Sequence, residues 1–203
     1  MTRPREELIR ELASDLAPAP RLASATPAAL VWLLAGVVVV AAITLATGPL
    51  RPGLSAEIAS EPGLVVDLLL GALAAGAAAV ALMRLRIPGL ATGSRAAALP
   101  LLLFAAWGAW QLIEWTWQAG PPSTLGHRDH CAFDVILFAL PPLALGLWLA
   151  RRAAPLECGW TGLVAGLAAG VLPALAMQVA CMEAPLHSLG LHLAPVLAAG
   201  VLG

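Results

Sequence analysis

Hydrophobic positions in this chain fall into long, nearly unbroken runs rather than into periodic patches. A helix needs about 20 mostly apolar residues to cross the hydrocarbon core of a bilayer. Five stretches reach or approach that length, at 27–47, 64–83, 96–117, 132–150 and 160–180, and a slightly shorter one follows at 187–203. Thr26 before Pro27 is a favourable helix start, because a hydroxyl can cap the first turn and proline there loses no needed N–H. The pattern predicts an all-α fold, an integral membrane bundle of six transmembrane helices. Gly162, Gly166 and Gly170 recur every fourth residue in the fifth run, a small-residue stripe that lets helix backbones approach closely in lipid.

Before the first run the period changes. Leu8, Ile9, Leu12 and Leu16 recur at helical spacing, with Glu7, Arg10, Glu11, Ser14 and Asp15 on the other face. Pro4 suits the first turn, Glu6 and Glu7 complement the helix dipole, and Pro18 and Pro20 end the helix. The chain therefore divides into an arm with a proline-rich spacer at 1–26 and a membrane domain at 27–203. A helix of about 13 residues is marginal alone in water, so the arm should fold against something. Its acidic polar face disfavours a lipid surface and argues for a protein groove, with a solvated, mostly disordered tail as the other reading. Leu8, Ile9, Leu12 and Leu16 are the expected partner-binding residues.

Composition strengthens the membrane reading. Hydrophobic residues are 60% of the 203, charged residues 11%, and mean hydropathy is +0.87, whereas soluble domains carry about 25% charged residues. There is no lysine, and the arginines are sorted unevenly. Arg3, Arg5, Arg10, Arg21, Arg84, Arg86, Arg95, Arg151 and Arg152 fall on one side; only Arg51 and Arg128 fall on the other. The positive-inside rule then sets both termini of a multi-pass protein in the cytoplasm. The first apolar run starts too late and runs too long for a cleavable signal peptide.

With that orientation, the ionisable residues within spans gather toward the outer face: Asp67, Glu114, Asp134 and His192. Charges at membrane depth are costly and mark functional interiors. Cys131 closes the string His127, Arg128, Asp129, His130, Cys131, and Cys181 precedes Met182, Glu183 and His187, so both cysteines belong to outer, periplasmic connections. Cys158 lies on the opposite side, near Arg151 and Arg152. Two thiols in an oxidising compartment can form a structural disulfide. With a nearby imidazole such as His130 they can instead hold a soft metal ion. Both readings stand on the residues alone, and no CxxC redox motif is present.

The string running from Glu7-Leu8-Ile9-Arg10-Glu11-Leu12 through Ala13-Ser14-Asp15-Leu16-Ala17-Pro18, followed by a proline-containing spacer, resembles the start of the NrsF family. These are negative regulators of an extracytoplasmic-function sigma factor of the sigma-F type. Six spans, with one cysteine in each of the last two outer connections, fit the same family. The resemblance implies a membrane anti-sigma factor whose arm holds the sigma factor at the inner membrane. Oxidative or heavy-metal stress, such as chromate or cadmium, would act at the sensor cysteines Cys131 and Cys181 and release it. The implied partners are the sigma factor and membrane lipid, with no direct nucleic-acid contact. No cofactor is required, although a heavy-metal ion could sit transiently at Cys131 and Cys181, with His130 beside them. The resemblance assigns no role to Cys158.

Two other classes compete. A membrane thiol oxidoreductase would need a second cysteine in each loop to relay electrons. A small metal-ion transporter would need polar groups at the midplane and on both sides, whereas these cluster at one end. No phosphate-binding loop, nucleophile elbow or hydrolytic triad occurs, so the expectation is a non-enzyme.

Overall fold

The computed structural model of the protein describes residues 5–14, 24–118, 126–182 and 184–203. No strand occurs among them. The helices are α1 (Arg5–Ser14), α2 (Ala25–Thr47), α3 (Leu54–Ser60), α4 (Pro62–Leu85), α5 (Gly93–Trp117), α6 (Cys131–Arg151), α7 (Cys158–Ala180) and α8 (Pro185–Leu202). Six of these, all but α1 and α3, are long and apolar enough to cross a membrane. Their ends agree with the hydropathy runs to within three residues. The short α3 sits in the connection between α2 and α4 and has no counterpart in the hydropathy pattern.

Helix α7 is the spine. In an 18-residue stretch of it 78% of residues are buried, against 28% in α2, α5 and α6. Its glycine stripe is the reason α8 can lie backbone to backbone on it. A Cβ at Gly166 would collide with the Ala199 carbonyl, one at Gly162 with the Gly203 carbonyl, and one at Gly170 would come within 3.1 Å of Val196. Without a hydrophobic driving force between helices in lipid, such close approach supplies the packing energy. Helices α4 and α6 flank α7, α5 packs on α4, and α2 touches α4, α6 and α7. The outer surface is apolar, as a lipid-facing surface must be: Leu30, Val31, Leu34 and Val38 of α2 are all exposed.

One contact ties α2 to α6. Trp32 is buried and donates from Nε1 to the Pro142 carbonyl at 3.1 Å. Gly146 leaves the indole room, since a Cβ there would come within 3.3 Å of Trp32 Nε1. Pro141 and Pro142 interrupt the α6 hydrogen-bond ladder at this level.

Helix α1 carries Glu6 and Glu7 in its first turn, and Ile9 is 55% exposed. The side chains of Leu8 and Leu12, and the whole of Leu16 and the spacer at 15–23, lie outside the described residues.

Candidate functional site

The last carbonyls of any helix have no partner within it, and at the end of α7 two arginines supply partners. The Arg51 main-chain N–H donates to Val179 O at 3.1 Å and its Nη1 to Cys181 O at 3.2 Å. Arg128 donates from Nε to Ala180 O at 3.3 Å, while its other nitrogens reach Pro49 O at 3.0 Å and Thr47 Oγ1 at 3.3 Å. The Arg51 side chain is only 2% exposed and pairs with Glu57 at 2.7 Å. The Cys181 N–H continues the helix by donating to Met177 O at 2.8 Å. Cys181 is thus held at a fixed point.

Cys131 starts α6 beside it. The two sulfurs are 2.9 Å apart and both thiols are free. The Cys131 thiol also approaches Arg128 O at 3.3 Å. From the other side, His187 Nε2 lies 3.3 Å from Cys181 Sγ, and the His187 and His192 rings stand edge to face with centroids 5.1 Å apart. One ligand atom from each of Cys131, Cys181, His187 and His192 lies within 4.8 Å of all the others. Cys131, Cys181 and His192 are buried, and His187 is half-buried. The His192 ring faces the Cys181 sulfur, yet neither of its nitrogens reaches a hydrogen bond of ordinary geometry.

Local backbone makes this convergence feasible. In a regular α-helix of 3.6 residues per turn, positions five apart point about 140° away from each other. Residues Ser188–Leu193 form a π-helical turn, closed by Ala194 N–H donating to Leu189 O. In such a turn residue i+5 returns over residue i, so His187 and His192 reach the same point.

The hydrogen bond between the two thiols lowers Cys181 from the usual thiol range, and burial opposes this. A buried pair of thiols with two imidazoles can close to a disulfide when an oxidant takes two electrons, or bind a soft or borderline metal ion.

The other residues singled out by the sequence are dispersed. His130 is exposed at the N-cap of α6 and is not among the four. His127, also exposed, contacts Met182 Sδ at 3.2 Å and Asp129 at 3.4 Å. Asp67 is buried between α4 and α5, accepting from Trp107 Nε1 at 2.5 Å and Gln111 Nε2 at 2.6 Å on one oxygen. The Glu114 carboxylate lies against Gly63 in the first turn of α4. Asp134 is in the first turn of α6, and Cys158 is exposed at the opposite end of α7. His187 was not among the residues expected at the site.

Across residues 12–203 the sequence matches the family model described as NrsF, negative regulator of sigma F. The chain belongs to the NrsF family. No curated protein and no solved structure matches it. NrsF-family membership makes the protein a negative regulator with a sigma factor as partner, and anti-sigma regulation is not an enzyme class. The matched region begins at Leu12, within α1, and contains the whole thiol and imidazole group.

Proposed function

We propose that this NrsF-family protein is a transmembrane anti-sigma factor that sequesters an extracytoplasmic-function sigma factor through its N-terminal arm. In this reading both termini are cytoplasmic, Cys131 and Cys181 face the periplasm, and oxidative or heavy-metal stress at the cysteines releases the sigma factor. The observation that carries the reading is the meeting of Cys131 and Cys181 at 2.9 Å. They come from different helices, at the bundle end away from the arginine-rich linkers. A chemical event at this pair changes how α6 sits on α7. Helix α6 is tied through Pro142 to Trp32 of α2, the helix that follows the arm. Such an event regulates only if it favours one of two arrangements with different sigma affinity. Tenfold release needs about 1.4 kcal/mol of bias and a near-complete switch about 5.5 kcal/mol. Metal binding and thiol–disulfide exchange both supply energies of that order.

The test is capture of the sigma factor by the full chain in detergent micelles, with and without cadmium or chromate. The wild type should capture it and let go under stress. Leu8→Glu with Leu12→Glu should abolish capture in the resting state. Cys131→Ser with Cys181→Ser should capture normally and fail to release, while Cys158→Ser should behave as wild type. Capture unaffected by the arm variant, or normal release by the double cysteine variant, would sink the respective half of the proposal.

A further inference from the structure

We infer that Cys131, Cys181, His187 and His192 form a four-ligand site for one divalent ion of the zinc and cadmium class. As the input of the switch proposed above, the site rests on that reading. As a binding site, it stands on its own geometry.

Zinc-to-nitrogen bonds of about 2.0–2.1 Å and zinc-to-sulfur bonds of about 2.3 Å put the corners of a tetrahedron about 3.3–3.8 Å apart. The four donor atoms span this range: sulfur to sulfur 2.9 Å, sulfur to His187 Nε2 3.3 Å, and no pair beyond 4.8 Å. An ion would have to part the two sulfurs by about 0.9 Å and draw the widest pair in by about 1 Å. Two thiolates and two neutral imidazoles also balance a divalent charge, which matters because a net charge in a buried setting is expensive.

His192 is the observation that points to a ligand. Its side chain is fully buried, and apart from the Cys181 sulfur that it faces, neither ring nitrogen has a hydrogen-bond partner. A buried polar group without a well-made hydrogen bond is costly. The ring is nevertheless aimed at the Cys181 sulfur by an irregular π-helical turn. Such turns are rare and recur at functional sites. Coordination would satisfy one nitrogen of His192 and account for the backbone that presents it.

The donor set also selects the ion. It contains no carboxylate, so calcium and magnesium are disfavoured, while thiolate with imidazole suits zinc and its softer homologue cadmium. The His127 ring, 6.0 Å from that of half-buried His187, touches the Met182 thioether at 3.2 Å, so further donors of this type lie beside the group.

The experiment uses the reduced full-length chain in detergent micelles, titrated with cadmium and separately with cobalt. Bound ion per chain is counted after desalting. Cadmium is followed by its thiolate charge-transfer absorption, and cobalt by the intense visible bands of a tetrahedral centre. One ion per wild-type chain is expected, together with the tetrahedral cobalt spectrum. Even outer-shell partners of metal ligands are worth about 10–100-fold in affinity, so His187→Ala and His192→Ala should each weaken binding by at least roughly tenfold. Cys131→Ser with Cys181→Ser should abolish it, and His130→Ala should leave it unchanged. The site is overturned if the wild type retains no ion, or if His187→Ala binds as tightly as wild type. His187 is half-buried, so that variant decides the matter should His192→Ala fail to fold. Sigma capture is measured on the same preparations. Ion binding lost with capture intact overturns this site alone, whereas capture absent with the ion bound overturns the anti-sigma reading alone.

Discussion

Replacing Arg51 by Met isolates what a buried guanidinium contributes at the end of α7. The main-chain bond to Val179 survives, but the bonds to Cys181 O and the pair with Glu57 are lost. Removing one partner of a buried ion pair costs about 3–5 kcal/mol. Glu57 is 29% exposed and partly rehydrates, so the lower end applies, about 3 kcal/mol. Arg128 serves the same helix end from a more exposed position, through one bond of 3.3 Å to Ala180 O, while its other bonds reach Thr47 and Pro49. Its replacement by Met should cost about 1 kcal/mol, the net worth of ordinary hydrogen bonds. For chains of this size each kcal/mol lowers the melting temperature by about 2–4 °C. Thermal unfolding in micelles, followed by tryptophan fluorescence, should therefore fall by roughly 6–12 °C for Arg51→Met and roughly 2–4 °C for Arg128→Met. Adding Glu57→Gln to Arg51→Met should restore part of the loss, because it removes the orphaned carboxylate. Equal shifts for the two arginines, or no recovery in the double variant, would refute the account of this helix end.

Gly166→Ala should destabilise the same melt by about 1–3 kcal/mol, since the new methyl meets the Ala199 carbonyl and α7 and α8 must part. Gly76→Ala, which has open space around it, is the control and should change little; equal effects would remove the close-packing argument. Trp32→Phe deletes the indole donor to Pro142 while keeping most of the volume. Sigma capture should persist, and stress release should weaken; a release curve matching wild type would show that α2 and α6 are not coupled through this bond.

The spans were legible because length and hydropathy are local properties, and they fixed the six helices to within three residues. The meeting of Cys131 with Cys181 was legible at one remove: alternating topology sends both to the same end of the bundle. What the sequence hid was the imidazole pair. His187 and His192 are five apart, a spacing that diverges on a regular helix, and only the π-helical turn makes them converge. His130 stood out instead because it adjoins Cys131, yet adjacency at a helix start points it outward. Among the acids, Asp67 is buried, and its company was not legible. Asp67 turned out to serve Trp107 and Gln111 across the α4–α5 contact, a pairing that hydropathy does not encode.

The two arginines that break the charge asymmetry gain meaning from the same end of the bundle. Each is explained by local demand: α7 presents its last carbonyls there, and cations are favoured at helix C-termini. The remaining nine arginines lie in the N-terminal segment and in the linkers after the second and fourth spans. The caps also make the site mechanically lopsided. Cys181 is pinned by Arg51, and its neighbour Ala180 by Arg128, while His187 and His192 ride on an irregular turn. Adjustment to an ion at the four groups is therefore expected from Cys131 and the two histidines rather than from Cys181.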